Sequence, residues 1–550
     1  MKKFKYIFLS AVLIGFTACS EDDYDYSPTA EPLPELTTGS LDFSKYVAVG
    51  ASFTAGFTDN ALFINAQENS FPNILSQQFA FSNGGSFTQP LMSDNIGGLL
   101  YSGNVITNPR LFFNGSGPVG LPATPTTETT SVLSGPFNNM GVPGAKSFHL
   151  IAPGYGNLAG VPVGAANPYY ARMASSPNAT IIGDAVAQSP TFFTLSEVGG
   201  NDVLAYATSG GTGVDQTGNL DPSTYGGNDI TDPNVFAQVF SGLVDGLTAN
   251  GAKGALANVP YITNLSHFTT VPHNPLSPAN PSFGPLIPTL NGVFGQLNQV
   301  YAYLQSVGAI SNAAERSVVF SSTEASAVVI KDETLTDISA QMIGVLNASP
   351  TFPAFVESFG LPAAAAPLVA NLLGSIYGQT RQATSAELLV LPSSSIIGTV
   401  NTTTFAYLQS QGLPESLAGQ FSVEGVTNPL ADKWVLLPSE QLAIKNATDA
   451  YNMTIDAVAA SKGLAVVDFK GILEEASATG ISDSDFTLTT DLVTGGLVSL
   501  DGVHLTARGY AVMANKFLEA IDMTYGSNFI AAGVKANTGD YPTNYSPTLQ

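Results

Sequence analysis

The amino-acid sequence predicts an α/β fold in which helices cover both faces of a parallel sheet. Short apolar runs with the character of buried strands occur at residues 46–49, 191–198 and 254–259. Between the last two runs lies a helical pattern that Thr231 or Asp232 would cap, with Pro233 in its first turn. Its apolar face extends over residues 235–247. Strands that alternate with helices are typical of parallel sheets covered on both sides.

The same alternation returns near the C-terminus after a long interval. A helix is predicted over about residues 439–460, a strand over 464–469 and a second helix over 506–521. The interval between these two groups of strands and helices is far longer than a minimal sheet covered by helices needs. An insertion, and possible lid, is therefore predicted at residues 265–435. Its local patterns are a Pro-rich start at 270–288, a possible hairpin of 317–320 with 325–330, and an apolar helix at 367–377.

The composition indicates an acidic, exported protein. Of 550 residues, 44% are hydrophobic and only 11% are charged, yet the formal net charge is −24. Nucleic-acid binding depends on Lys and Arg side chains that neutralise phosphates, so this charge argues against a nucleic-acid partner. The 54 glycines and 35 prolines fit a loop-rich extracellular protein better than a compact cytosolic enzyme.

The N-terminus has the pattern of a secretory signal. Three lysines among the first five residues precede an apolar run over residues 6–16, which is shorter than the roughly 20 residues of a stable membrane span. Small residues then lead to Cys19, the only cysteine, so the chain can form no internal disulfide. This position resembles a bacterial lipobox, which implies cleavage before Cys19, a lipid on its sulfur and a membrane anchor. The alternative is a soluble periplasmic protein in which the cysteine is fortuitous.

Residues 20–23, Ser-Glu-Asp-Asp, resemble the acidic export tag of surface-exposed lipoproteins in some Gram-negative bacteria. The protein is therefore expected on the outer membrane, at the cell surface or otherwise facing the periplasm. A solvated linker is the alternative explanation for so short an acidic run.

Four short segments contain the residue types of a hydrolase active site. They are 50–56 (GASFTAG), 139–144 (NMGVPG), 199–202 (GGND) and 501–504 (DGVH). Together and in this order they resemble the signature blocks of the SGNH/GDSL hydrolases, a family of serine esterases and lipases. The resemblance implies a flavodoxin-like α/β/α sandwich and ester hydrolysis without a metal or organic cofactor.

The resulting domain organisation assigns a role to each part of the chain. A signal peptide occupies residues 1–18, a lipidated cysteine and tether 19–40, the hydrolase core 41–264 and 436–525, the insertion 265–435, and a C-terminal tail 526–550. The resemblance does not cover the insertion.

Ser52, His504 and Asp501 are the predicted catalytic residues. Ser52 follows a strand that ends at Gly50, where α/β sheets bind ligands, although a helix-capping serine is the alternative in isolation. A hydroxyl needs a base to become a nucleophile, and histidine is the base best matched to neutral pH. Asp501 lies three residues before His504, so one loop can supply both the base and the carboxylate that orients it.

The resemblance also implies an oxyanion hole made by the N–H groups of Ser52 and Gly144 and the side-chain amide of Asn201. Gly141 is a rival for the glycine. Asn228, in a second Gly-Gly-Asn-Asp run at 226–229, is a rival for the asparagine, but it follows a polar loop rather than a strand. The family usually has Asp where this chain has Ala51, which leaves the local loop geometry open.

The remaining titratable residues near these segments have weaker interpretations. His267 and His273 could be metal ligands, but no third ligand with suitable spacing accompanies them, so loop histidines are favoured. His149 is expected to pack or cap near the second segment. Glu197, at the end of a predicted strand, is either a satisfied buried carboxylate or a feature of the pocket.

The sequence thus predicts a lipid-anchored serine hydrolase that cleaves acyl or acetyl esters, with a lipid or an acylated glycan as substrate. Two alternatives from other classes remain. One is a catalytically inactive surface lipoprotein that binds glycan or lipid, and the other is an assembly lipoprotein whose insertion makes the contacts. The five intact residue types of the site argue against both.

Overall fold

A computed structural model describes residues 32–550, so the signal peptide, Cys19 and the acidic run lie outside the described residues. The fold is mixed α/β and contains a five-stranded parallel sheet. Its strands are β1 Tyr46–Gly50, β2 Asn139–Gly141, β3 Phe192–Ser196, β4 Lys253–Ala257 and β5 Ala465–Val467. The strand order is β2-β1-β3-β4-β5.

The predicted α/β class is confirmed, and four of the five strands coincide with predicted ones. The predicted strand at 464–469 is shorter than expected, because the Asp468 carboxylate accepts the N–H of Gly471 and caps the following helix. Strand β2 was not predicted.

Helices alternate with these strands and also fill the segment between β4 and β5. Their bounds are α1 Ser52–Ala55, α2 Ile64–Glu68, α3 Phe71–Phe79, α4 Pro168–Ala171, α5 Ile181–Val186, α6 Asn201–Thr208, α7 Pro233–Thr248, α8 Ser266–Thr269, α9 Ile287–Ser306, α10 Ala313–Arg316, α11 Ser339–Ala348, α12 Phe352–Glu357, α13 Ala366–Tyr377, α14 Thr402–Ser410, α15 Glu415–Gln420, α16 Pro438–Lys462, α17 Phe469–Ala478 and α18 Ala507–Tyr525.

Short antiparallel strand pairs lie outside the main sheet. They are Leu99–Tyr101 with Asn104–Thr107, Leu111–Phe113 with Pro118–Gly120, Val329–Lys331 with Thr380–Gln382, Leu388–Leu389 with Val435–Leu436, and Ile481–Asp483 with Phe486–Leu488.

Both faces of the sheet are covered, as the alternation of strands and helices predicts. Val47 and Val49 of β1 pack into an apolar core with α7 and α16, whereas Tyr46 and Ala48 pack into another with α3 and α18. Because successive side chains of a strand point to opposite faces, the two cores lie on opposite sides of the sheet. The predicted helices at 231–247, 439–460 and 506–521 are confirmed as α7, α16 and α18.

The segment between α8 and α16 has an apolar core of its own. Leu297, Ile330 and Tyr377, which are fully buried, belong to this core, whose members extend from residue 271 to residue 437. The predicted helix at 367–377 is confirmed as α13.

The predicted hairpin of 317–320 with 325–330 is wrong. The backbone of Val318 and Phe320 pairs instead with side-chain amides of α9: Asn298 bonds Val318, and Asn291 bonds Phe320. Val329–Lys331 finds its partner strand at Thr380–Gln382. None of the helices in residues 32–550 combines the length and the hydropathy that a membrane span requires.

Candidate functional site

The predicted site residues lie at one edge of the sheet. Ser52, Gly144 and Asn201 follow the carboxyl ends of β1, β2 and β3, which are adjacent and parallel. The strand order reverses direction at β1, since β2 lies on one side of it and β3 on the other. Such a switch point opens a crevice beyond the carboxyl ends of the strands, where α/β proteins bind ligands.

A tight turn after β1 presents Ser52 as the first residue of α1. Gly50 is required in this turn, because a Cβ there would lie 2.6 Å from the carbonyl oxygen of Ser196 and closer still to the Thr54 hydroxyl. Ser52 is buried, and within residues 32–550 neither its N–H nor its hydroxyl forms a hydrogen bond. Both groups are therefore unoccupied by other parts of the described chain.

Asp501 and His504 form a directly bonded pair on the loop before α18. The Asp501 Oδ2 and His504 Nδ1 atoms are 2.9 Å apart. The other carboxylate oxygen accepts the N–H groups of Val503 and His504, each at 2.8 Å, and Asn60 donates its N–H to Oδ2, also at 2.8 Å. A carboxylate on Nδ1 fixes the tautomer that leaves Nε2 free to act as a base.

These contacts determine the charge of Asp501. Burial alone would raise the pKa of its carboxyl, but His504 and the surrounding N–H donors outweigh burial and hold that pKa well below its ordinary value. Asp501 is therefore ionised at neutral pH and can stabilise a proton on the imidazole of His504.

The His504 ring packs against the turn that carries Ser52. Its centroid lies 5.7 Å from the ring of Phe53 and 4.6 Å from the ring of Phe57. Within the described residues, however, Ser52 and His504 do not hydrogen-bond to each other. Nucleophile–base hydrogen bonds are often long in ligand-free enzymes and tighten when substrate binds.

The two further oxyanion donors lie beside this turn. Asn201 donates one side-chain N–H to the carbonyl of Ala145 at 2.9 Å, and an amide NH₂ retains a second donor. Gly144 is exposed in the left-handed region, with φ of 79°, and its N–H has no acceptor among residues 32–550. The rival Gly141 is buried, and its N–H is bonded to the Asn139 side chain at 3.0 Å. The geometry thus favours Gly144 as the free donor.

Asp202, in the third segment, is hydrogen-bonded to the turn that follows the second segment. Its carboxylate accepts both the N–H and the hydroxyl of Ser147, at 2.9 and 2.6 Å. The rival Asn228 is exposed and donates to the Thr212 hydroxyl in a polar loop. Asn201 is accordingly the asparagine that joins the other site residues.

Two adjoining cavities meet at these residues. A wide cleft of about 1370 Å³ is lined by Gly144, Asn201, Asp501 and His504. A narrow cavity of about 90 Å³ is lined by Ser52 and Asn201 together with apolar side chains of α6, α17 and α18. Asn201 lines both, so the site residues lie at the junction of an open cleft, which carries both polar and apolar groups, and an apolar slot.

The predicted insertion contributes little to these walls. Of residues 265–435, only Leu265 and His267 line either of the two cavities. A role for the insertion as a lid over Ser52 stays a prediction.

His267 is a site feature that sequence reasoning placed in a loop. It lies in the single turn of α8, its backbone N–H donates to the carbonyl of Gly502 at 2.9 Å, and its side chain lines the cleft. Both ring nitrogens are buried without a partner in the described part of the chain, and burial lowers the pKa of the ring. The His267 backbone therefore holds the Asp501 loop, and its side chain is a neutral imidazole.

His149 has the packing role expected from the sequence. Its Nδ1 accepts the N–H of Lys146 at 3.0 Å, and its ring stacks on Tyr155 at 4.3 Å. Burial, with the nearby Lys146 charge, lowers the pKa of His149 to about 4.

A cluster of carboxylates lies apart from the predicted triad. Atoms of Glu333, Asp432 and Glu440 come within 4.8 Å of one another, the only such group of three possible metal ligands among residues 32–550. Burial and the neighbouring carboxylates raise the pKa of Glu440 to about 8.

Comparison with known proteins adds no relative: no family model matches the chain, and no curated protein or solved structure matches it.

Proposed function

We propose that this protein is a serine ester hydrolase of the SGNH/GDSL type. The observation that carries the proposal is the Asp501–His504 pair packed against the turn that presents Ser52, with Gly144 and Asn201 on the adjoining segments. The strand order 2-1-3-4-5, which flavodoxin-like sheets share, supports the fold implied by the resemblance.

The geometry supports an acyl-enzyme mechanism. The Ser52 hydroxyl attacks the ester carbonyl while His504 Nε2 takes its proton, and the ionised Asp501 stabilises the resulting imidazolium. The oxyanion of the tetrahedral intermediate accepts hydrogen bonds from the N–H groups of Ser52 and Gly144 and from the Asn201 amide. His504 returns the proton to the departing alcohol, which leaves the acyl group on Ser52. Water then attacks the acyl carbonyl while His504 takes its proton, and Ser52 regains that proton as the acid departs.

The two cavities suggest where the acyl and alcohol halves of an ester substrate would bind. The apolar slot beside Ser52 suits an acyl chain, and the wide open cleft, which carries polar groups among apolar ones, suits the alcohol half, such as a lipid headgroup or a glycan. Cys19 is proposed as the lipid anchor that would hold the enzyme at the outer membrane.

The test is a nucleophile variant in protein that lacks residues 1–19. Ser52→Ala should lower kcat about 10³-fold or more on p-nitrophenyl esters from acetate to palmitate, with the circular-dichroism spectrum unchanged. A fluorophosphonate probe should label the wild type and spare the variant. Ser461→Ala, a change of an exposed helix serine, is the matched control and should keep the wild-type kcat and the wild-type fluorophosphonate labelling.

Equal labelling of the wild type and Ser52→Ala, or no hydrolysis of any ester in the panel, would overturn the proposal. The second result would favour an inactive lipoprotein that binds lipid or glycan in the same cleft.

A further inference from the structure

The short helix α1 has an unusual cap at its N-terminus. The N-cap position is Ala51, and alanine has no side-chain oxygen for the free N–H groups of the first turn. That role falls to Glu197, which follows β3. Its Oε1 accepts the N–H of Thr54, the third helical residue, at 3.0 Å, and also the N–H of Ala51.

These two hydrogen bonds bracket the predicted nucleophile. The N–H groups of Ala51 and Thr54 are bound to the Glu197 carboxyl, whereas the N–H of Ser52 between them is bound to nothing within residues 32–550. An oxyanion hole needs this pattern, because its donors must be fixed in direction and yet unoccupied when substrate arrives.

Glu197 is held in this position at a cost. It is buried, its φ of 51° lies in the left-handed region that side chains rarely adopt, and its Oε2 is buried without a partner in the described chain. It also lines the apolar slot together with Ser52. An ordinary helix cap requires none of these features, since a serine or aspartate at position 51 would satisfy the N–H of Thr54 locally.

We propose that Glu197 is a positioning residue for catalysis at Ser52, an inference that rests on the proposed function. Its carboxyl holds the residues on either side of Ser52 and thereby aims the Ser52 hydroxyl and N–H at the substrate carbonyl.

Three variants at two positions test this role. Glu197→Ala should lower kcat about 10²-fold, as expected for a misplaced reacting group, with little change in KM. Glu197→Gln keeps an acceptor oxygen and should retain most of kcat. The double variant Ala51→Asp/Glu197→Ala supplies a carboxylate at the N-cap itself and should recover at least tenfold of the loss, roughly half of the lost transition-state stabilisation.

A matched control separates positioning from a general loss of buried capping. Glu440 is also a buried glutamate at a helix N-terminus, where it accepts the N–H of Leu437 at 2.6 Å. Glu440→Ala should leave kcat unchanged, because it removes a buried capping carboxyl far from Ser52 in the chain and outside both cavities. Fluorophosphonate labelling should slow in Glu197→Ala and not in the control.

The outcomes distinguish the two proposals. If the wild type hydrolyses esters through Ser52 but Glu197→Ala has an unchanged kcat, Glu197 is not a positioning residue although the proposed function stands. The role is also refuted if Glu197→Gln loses as much kcat as Glu197→Ala. If Glu197→Ala does not fold, Glu197→Asp takes its place: its shorter carboxyl cannot reach both N–H groups and should lower kcat, and an unchanged kcat refutes the role. A wild type without esterase activity refutes the proposed function itself.

Discussion

Replacing Glu197 by Gln is expected to stabilise the protein at neutral and alkaline pH. Burial raises the pKa of the Glu197 carboxyl from its ordinary 4.5 to about 8, against the hydrogen bonds from Thr54 and Ala51 that lower it. Between these two pH values the folded protein binds a proton at Glu197 that the unfolded chain does not bind. Stability therefore falls by about 1.4 kcal/mol per pH unit as the pH rises through this window.

The magnitude follows from the window. Below pH 4.5 the folded and unfolded states both carry the proton on Glu197, and ionisation of this residue costs no stability. At pH 7 the pH has risen 2.5 units into the window, so the wild type has lost about 3 kcal/mol, and above pH 8 the loss levels off at about 5 kcal/mol. Glutamine cannot ionise and keeps the acceptor oxygen, so Glu197→Gln should escape this loss.

Thermal unfolding of both proteins from pH 4 to pH 9 measures the effect. The melting temperatures should coincide near pH 4 and diverge as the pH rises, with the variant higher by several degrees at pH 8. Glu474→Gln, a change of an exposed glutamate on α17, is the control and should track the wild type throughout. Parallel curves for the wild type and Glu197→Gln would refute this reasoning, because they would show that Glu197 titrates at its ordinary pKa in the fold and that its N–H donors fully offset burial.

The remaining predictions concern the oxyanion donor, the orienting acid and the anchor. Asn201→Ala should lower kcat about 10²- to 10³-fold in steady-state kinetics, while Asn228→Ala, the same residue type in the exposed loop, should not; equal effects would remove Asn201 from the site. Asp501→Asn should preserve the fold by circular dichroism but lower kcat about 10⁴-fold, because an amide favours the wrong tautomer of His504, and a loss below tenfold would contradict this role. Cys19→Ser should move the protein from the membrane pellet to the soluble fraction on cell fractionation, and protein that stayed in the pellet would argue against a lipid at Cys19.

The main sheet was predictable where its strands are apolar runs. The strands β1, β3 and β4 are buried on both faces and their sequences show it. Strand β2 has only three residues, Asn-Met-Gly, and no apolar pattern; it is a strand because Asn139 and its neighbours pair with Ala48 to Gly50 of β1. Pairing of this kind is a tertiary interaction that no local pattern records.

The false hairpin has a related cause. The β-branched and aromatic residues at 317–320 do have extended backbone partners, but these are the side-chain amides of Asn291 and Asn298 on α9. Strand propensity indicates an extended, half-buried backbone and cannot tell which groups will satisfy it.

The candidate site shows the same contrast between local contacts, which the sequence reveals, and long-range contacts, which it does not. Asp501 and His504 lie on one short loop, so their partnership is visible in the sequence and present in the structure. The contact of His267 with Gly502 joins distant segments and had no sequence signal beyond the presence of a histidine. The sequence leaves Glu197 either as a satisfied buried carboxylate or as a feature of the pocket, because the N–H groups that bond to it lie on another segment.

Ala51 and Glu197 are best understood as one arrangement. Considered alone, Ala51 leaves the first turn of α1 without a cap, and Glu197 is a buried carboxyl with a strained backbone. In the fold, the Glu197 carboxyl from the end of β3 takes the role of the missing cap and accepts the N–H groups of Ala51 and Thr54. Because β1 and β3 are adjacent and parallel, the residues after each strand lie side by side, and a group missing from one turn can be supplied by the next. A turn with no cap of its own at Ala51 is therefore still held in place beside Ser52.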